Sequence, residues 1–342
     1  MKLIRTEDAV GSVLCHDITQ IIKDQKKGPV FRKGHIVAPE DIPVLLSVGK
    51  EHLYVWEKQE GILHEDEAAA ILRDLSIGPD MTASEPKEGK IELTADCNGL
   101  FKVNSAALLA VNQTPQIMIA SRHGNTPVRK NDKLAGMRII PLVIEETKMQ
   151  ELQEKTKAVT GGRPVFELKR FVHKKVGIVT TGSEVAKGLI QDTFTPVLYE
   201  KLAPFDTEQA GHVVCDDDDR KTTKAIQEFL AAGADLILCT GGMSVDPDDR
   251  TPLAIRNTGA EIITYGAPVL PGAMFLLARL GNAVICGLPG CVMYAGRTIF
   301  DLMLPRIMAD DPITREEIAA LGEGGLCLGC RPCTWPNCGF GQ

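Results

Sequence analysis

The spacing of apolar residues changes along the chain, and the expected elements change with it. Up to about residue 57, "GPVFRKGHIVAPEDIPVLLSVGKEHLYVW" carries short apolar pieces punctuated by Gly28-Pro29, Gly34 and Gly49, with one helix-like segment from Glu40 to Ser47. A helix is expected over 62–77, "ILHEDEAAAILRDLSI", closed by Gly78-Pro79, and residues 83–89, "ASEPKEG", have linker composition. From Lys90 to Glu145 the apolar runs "IELTA", "LFKVN", "QIMIASRHGNTPV" and "MRIIPLVI" are short and separated by turn residues, the pattern of a compact β-rich module. A charged helix over 146–158 and the Gly161-Gly162 break come next.

Beyond Lys175 strand-like and helix-like stretches alternate: "VGIVTTG", a helix near 193–203, "GHVVC", a helix over 219–231, "ADLILCTGG", a helix over 252–257, "AEIITYG", "AVICGLPG" and a helix over 292–308. Strands separated by helical stretches of this length need right-handed crossovers, so the expected fold class is α/β, with a mainly parallel, doubly wound sheet covered on both faces. The expected organisation is an α+β segment over 1–82, the β-rich module over 88–146, the α/β domain over 172–310 and a cysteine-rich tail over 322–342.

Composition narrows the partners. At 342 residues, 44 % hydrophobic, the chain has material for two or three cores. A net charge of -7 and a pI near 5.6 leave no basic stripe to neutralise phosphates, so no nucleic-acid partner is expected. No run approaches the roughly 18 apolar residues of a membrane span, and "MKLIRTEDAVGSVLCHDITQ" has no apolar signal-like core, so no membrane and a cytoplasmic location are expected.

Ligands of open α/β sheets bind beyond the carboxyl ends of the strands, where three glycine turns are expected: "TTGSE" (180–184), "TGG" (240–242) and "LPG" (288–290). Glycine lets backbone N–H groups approach an anion closely, and the helix after each turn adds its positive end. Thr181, Gly182, Ser183, Thr240, Gly241, Gly242, Pro289 and Gly290 are therefore candidate phosphate contacts. After the second turn, Thr251 is placed as N-cap and Pro252 as first helical residue, with Gly259 closing the helix, which leaves Asp249 outside the helix start and aimed into the crevice. A carboxylate beside a phosphate seat repels the ligand unless a cation lies between them, and Mg²⁺ is the hard ion that suits oxygen ligands. Asp246 and Asp248 read as solvated loop, Asp216 to Asp219 as a helix start capped by Asp219, and His123 with Arg122 and Arg129 as a solvated turn.

At these residues the chain resembles a family. "TGGMSVDPDDRTPLA" is similar to the TGG element of the molybdopterin-binding fold shared by molybdopterin adenylyltransferases and molybdopterin molybdotransferases, the MoeA and gephyrin E-domain family. "VGIVTTGSEV" resembles the molybdotransferase STGDE turn, with Glu184 on the matching acid and Ser183 in place of the aspartate; "VLPGAMF" stands where that family has PGKP, and "GLPGCVMY" where it has GLPGNPVS. The amino-terminal "EDAVGSVLCHDI" and "FRKGHIVAPEDIPVLLSVGKEHLYVW" resemble the molybdotransferase opening loosely, and "ASRHGNTPVRKNDKLAGMRIIPLVI" resembles an SAF-type module. The resemblance implies a pterin phosphate ligand, molybdopterin in some form, at those turns, with Ser244, Pro271 and Gly272 among its contacts and with Glu184 and Asp249 serving Mg²⁺ or molybdate chemistry. Ala273 and Met274 replace the lysine and proline of PGKP, and Ser183 removes a carboxylate, departures that suit a member without full transferase activity.

The cysteines add separate chemistry. Cys15, Cys97, Cys215, Cys239, Cys286 and Cys291 occur singly, whereas Cys327, Cys330, Cys333 and Cys338 crowd into "GGLCLGCRPCTWPNCGFGQ". Four thiolates in a glycine- and proline-rich stretch with almost no hydrophobic content need an ion or cluster to organise them. The C-x2-C-x2-C spacing matches iron–sulfur ligation, zinc is the other metal expected, and a metal-free redox or disordered tail is the third reading. The functional expectation is a molybdenum-cofactor protein, a Mg²⁺-dependent molybdotransferase-like enzyme or a carrier delivering molybdopterin to a molybdoenzyme client, working with molybdate and as a homodimer. A CinA-like nucleotide pyrophosphatase on the same fold is the alternative.

Overall fold

The computed structural model describes residues 2–22, 26–55, 60–244 and 246–342; Trp56, at the end of the amino-terminal apolar stretch, and Val245, in the acidic loop, lie outside the described residues. The chain divides into two compact units, one comprising Met1–Asp96, Val103–Arg122 and Asn131–Glu167, the other Cys97–Lys102, His123–Lys130 and Leu168–Gln342.

In the first unit Lys2–Arg5 pairs antiparallel with His52–Val55, and Ile18–Ile22 with Lys26–Phe31. Leu14, Ile18, Val37, Leu45 and Leu53 form a small core there, Leu45 coming from the helix Asp41–Ser47. Met81–Ala83, Lys90–Ala95, Lys133–Ile139 and Ile117–Ser121 make a four-stranded antiparallel sheet whose alternate residues are buried. The helix expected over 62–77 starts later: Ile62–His64 is a strand paired with Val143–Glu145, and the helix is Glu65–Ser76. His64 stops the strand because its Nδ1 accepts from the Asp66 N–H at 3.1 Å while Glu67 accepts from the His64 N–H at 2.8 Å, a capping box.

In the second unit Gly99–Val103 and Thr126–Val128, which the sequence places in the middle module, pair with each other, and Gly99–Val103 also neighbours Phe166–Arg170. The principal sheet has six strands in the order Thr207–Cys215, Lys174–Thr181, Leu236–Thr240, Ala283–Leu288, Leu276–Leu280, Glu261–Tyr265. The first four are mutually parallel, and Leu276–Leu280 runs antiparallel to both neighbours. Leu236–Thr240 is buried at every position, as a strand covered on both faces must be. Successive residues feed opposite cores: Ile178, Leu238 and Cys286 join Leu198, Phe300 and Met303 on one face, while Val179, Ile237 and Ile285 join Ile226, Phe229 and Ile255 on the other. The mainly parallel, doubly wound α/β reading holds, with the antiparallel strand as an addition.

That strand has a sequence signal that a strand–helix alternation does not reveal. Leu280 pairs with Ala283 across Gly281-Asn282, with Gly281 at φ +58, a two-residue hairpin of glycine–asparagine type. The helix expected over 292–308 also divides, into a single turn of 3-10 helix, Gly290–Met293, and a helix Ile299–Met308. Thr298 sets the second start by capping the Phe300 N–H, and Asp301 accepts from the Thr298 N–H at 2.9 Å. Among the described residues no helix is long and apolar enough to cross a membrane.

Candidate functional site

From Lys174–Thr181 the chain goes to the edge strand on one side and returns to Leu236–Thr240 on the other, so the ends of these two strands flank the topological switch point. Register aligns the turns: Thr180 pairs with Thr240, and Thr240 with Leu288, so the turns that begin at Gly182, Gly241 and Pro289 leave the sheet at one level. Beneath them lies a layer of buried threonines. The Thr181 hydroxyl donates to the Thr240 carbonyl at 3.1 Å and lies 3.1 Å from the Thr251 hydroxyl, which donates to the Gly241 carbonyl at 2.8 Å.

The glycines have distinct reasons. Gly241 is at φ +80, and a Cβ there would collide with the Thr181 carbonyl oxygen; Gly242 is at φ +55, where a Cβ would meet Thr251 Oγ1 at 2.8 Å. Both are required by the strand-to-helix packing itself, before any ligand is considered. Gly272 is likewise pressed against Ile299, and the Ile299 N–H donates to the Pro271 carbonyl at 3.3 Å. Gly290 differs: a Cβ there would meet nothing within 4 Å, which leaves its approach side open.

Two helix caps lie one residue before their expected places. Thr251 is the first residue of the helix Thr251–Asn257, preceded by Arg250 without a side-chain cap, because the Thr251 hydroxyl is used by the Gly241 carbonyl. Asp249 is half-buried before that start and accepts from the Asp246 N–H at 3.4 Å, and Ser244 is exposed. Burial, and then the charge of Asp249, push the Tyr265 hydroxyl above its ordinary pKa. The cap of Asp219–Ala231 is Asp218, which accepts from the Arg220 N–H at 2.9 Å, one residue before the expected Asp219; Asp219 instead accepts from Arg250 at 3.1 Å. Asp217 accepts from the Ser183 N–H at 3.0 Å, so a protein carboxylate already occupies the anion position of the first turn. The helix after that turn, Ser183–Ala186, is a single turn, and Glu184 on it is exposed.

Behind the turns is a polar cluster that sequence reasoning missed. The Asp192 carboxylate accepts from the Thr195 hydroxyl at 2.6 Å, the Thr180 hydroxyl at 3.2 Å and the N–H groups of Phe194 and Thr195, while His212 Nε2 lies 3.0 Å from the Thr180 hydroxyl. Burial opposes the Asp192 charge, but these hydrogen bonds outweigh it and hold its carboxyl below the ordinary range. Thr180, closing an apolar strand beside Thr181, is the one local signal for this cluster; Asp192 and His212 lie too far along the chain to be read with it.

The four tail cysteines are not assembled: no three of their sulfurs lie within 4.8 Å of one another, and among the described residues the single such group of His, Cys, Asp and Glu is His64, Glu65 and Asp66, part of a helix cap. Cys330 and Cys333 are exposed, while Cys327 and Cys338 are half-buried against the sheet's core. The tail has more to fold on than its composition suggested. Phe340 is buried in that core, Leu270 exchanges hydrogen bonds with Gly325 and Cys327, both at 2.8 Å, and Arg297 lies 4.6 Å over the Trp335 ring.

Two family matches cover parts of the chain: residues 177–309 match the probable molybdopterin binding domain, and residues 3–57 a domain of unknown function. A molybdopterin molybdenumtransferase of Haemophilus influenzae is 33% identical over 155 residues, covering 42% of this chain and 37% of the relative. A CinA-like protein of Mycobacterium sp. (strain MCS) is 33% identical over 90 residues, covering 26% of this chain and 21% of the relative. The chain thus spans little more than a third of the first relative's length. The solved molybdopterin biosynthesis enzyme MoaB from Thermus thermophilus aligns over 41% of this chain and 98% of its own, at 23% identity and a TM-score of 0.33.

Proposed function

Residues 177–309 belong to the probable molybdopterin-binding domain family, and from that premise we propose that this chain binds a pterin phosphate at the carboxyl edge of its six-stranded sheet and acts in molybdenum cofactor biosynthesis. The observation that supports this most is the common level of the Gly182, Gly241 and Pro289 turns at the switch point, with Gly290 open to close backbone approach. The phosphate belongs on the second and third turns, since Asp217 fills the first.

Asp249 and Glu184 each offer one carboxylate beside these turns. Mg²⁺ is ordinarily held by one or two carboxylates with phosphate oxygens and water completing its shell, so this donor set fits the ion once a phosphate is bound. Mg²⁺ there would screen phosphate from carboxylate and neutralise charge developing on it. The chain's own residues would do the rest: the threonine layer holds the turns rigid, and the Gly290 backbone positions the phosphate. Pterin holding for delivery to a molybdoenzyme needs only the turns, whereas transfer of molybdate into molybdopterin also needs Asp249 and Glu184. For the tail we propose an iron–sulfur cluster or zinc on Cys327, Cys330, Cys333 and Cys338, which requires the thiols to move together from their present positions.

Gly290→Ala tests the seat. The added methyl meets nothing in the protein, so the fold should be unaffected while molybdopterin affinity falls at least tenfold, about 1.4 kcal/mol. Unchanged affinity would remove the phosphate from this turn. Asp249→Asn separates the two roles: it should abolish Mg²⁺-dependent turnover and leave metal-free binding intact. The CinA-like relative motivates a second reading, an adenine-nucleotide ligand at the same turns; AMP displacing molybdopterin at equal concentration would favour it.

A further inference from the structure

A cavity of about 560 Å³ opens in the second unit away from the glycine turns; neither Gly182, Gly241, Gly242 and Gly290 nor Glu184 and Asp249 line it. Its volume lies within the range of small-molecule sites, about 300–1,000 Å³. Aromatic residues make up only 5% of the chain, yet Phe171, Phe205, Tyr294 and Trp335 all line this one space. Phe171 and Phe205 meet edge to face at 4.9 Å, and Trp335 is brought by the cysteine-rich tail. Flat, half-buried apolar walls of this kind favour a planar ring system.

The charged lining points to an anion. Arg129, Lys201 and Arg297 face two carboxylates, Glu200 and Asp301. Asp301 is buried and already shared: Lys201 reaches its two oxygens at 2.8 and 2.9 Å, and Arg297 reaches it at 2.9 Å. One carboxylate therefore balances two cations. The Arg297 side chain lines the cavity and is 33% exposed, so it stays within reach of an incoming acidic group.

We propose that this cavity binds a planar aromatic anion of one or two fused rings, with the ring among Phe171, Phe205 and Trp335 and the acidic group against Arg297. The site is separate from the proposed phosphate seat and does not depend on it. Because Trp335 forms part of the wall, ligand binding here and the order of the tail are linked.

Calorimetric titration of the full chain with pterin-6-carboxylate, and with neutral pterin as the uncharged control, tests this. Trp335→Ala should weaken the carboxylate at least tenfold. Val197→Trp, which fills the cavity from its helix wall and leaves the tail intact, should do the same and decides the matter if Trp335→Ala disturbs the tail. Arg297→Gln should weaken the carboxylate at least tenfold and neutral pterin less than twofold, and Gly290→Ala, whose added methyl meets nothing in the protein, should leave both within twofold of the wild type. The proposal is overturned if the wild type shows no saturable binding, if folded Val197→Trp binds like the wild type, or if Gly290→Ala weakens binding tenfold or more, which would put the ring at the glycine turns.

Discussion

The Thr251 hydroxyl donates to the Gly241 carbonyl at 2.8 Å and lies 3.1 Å from the Thr181 hydroxyl. One side chain at the start of a helix thus ties together the ends of two neighbouring parallel strands at the switch point. Thr251→Val keeps the shape and removes this tie, leaving the half-buried Gly241 carbonyl without its donor. Urea unfolding should show a loss of about 1–3 kcal/mol, and molybdopterin affinity should fall with it. A variant as stable as the wild type would mean that water replaces the hydroxyl at no cost.

A second buried polar junction holds the far end of the helix Ile299–Met308. Asp311, nearly inaccessible, accepts from Lys102 and Lys169 at 2.8 Å each and from Arg306 at 2.7 Å. Burial opposes its charge, but the Lys102 and Lys169 hydrogen bonds and the Arg306 charge prevail and hold its carboxyl below the ordinary range. Asp311→Ala leaves Arg306 buried with a partner missing, so unfolding free energy should drop by roughly 3–5 kcal/mol. A drop below about 1 kcal/mol in thermal or chemical denaturation would show that Glu317 and the Pro312 carbonyl suffice to hold that guanidinium.

Glu65 should give stability an unusual pH dependence. Burial, helped by the neighbouring Asp66 charge, pushes its carboxyl up from 4.5 to about 7. The folded state therefore holds a proton that the unfolded chain has released, and stability falls as pH rises from about 4.5 through 7, by on the order of 3 kcal/mol. His64 and His16, whose pKa values burial lowers, act in the opposite direction below their ordinary value of 6.5. Subtracting the profile of Glu65→Gln removes their effect, and the difference should slope downward only in that window. A flat difference profile would mean that water reaches the carboxyl.

The tail prediction separates anchoring from metal binding. Phe340 and Trp335 pack on the core without help from the exposed Cys330 and Cys333. Changing these two cysteines to Ser should remove the one metal centre per chain proposed above and, with it, only the stability the metal supplies, so the variant should melt where the metal-free unsubstituted protein does. Visible absorbance in the unsubstituted protein would identify iron–sulfur, and a colourless protein with one zinc the alternative. If metal analysis of the unsubstituted protein finds neither, the metal reading fails and the cysteines serve another purpose.

Much of the α/β unit was legible in the chain itself. The run "ADLILCTGG" is apolar at nearly every strand position and ends in two glycines, which is enough to place a buried central strand and its turn, because a parallel strand covered on both faces tolerates no polar alternation. The helix Asp219–Ala231 and the cap region before it were legible for the same local reason, with Asp218 and Asp219 interchanged because each can cap and only the backbone angles choose. Tertiary structure decided what depends on partners distant in sequence. Gly241 is glycine because the carbonyl of Thr181, from a neighbouring strand, occupies the space its Cβ would need, and Ser183 meets Asp217 because two strands are adjacent. Asp192 and His212 converge on Thr180 only through the crossover that pairs Thr207–Cys215 with Lys174–Thr181. The tail's anchoring was hidden because its apolar residues are too few to form a core of their own, yet Phe340 needs only a place in an existing one. Local pattern fixes which backbone conformations are cheap; close approach between remote segments selects which side chains share a hydrogen bond, and that selection carries no periodicity to read.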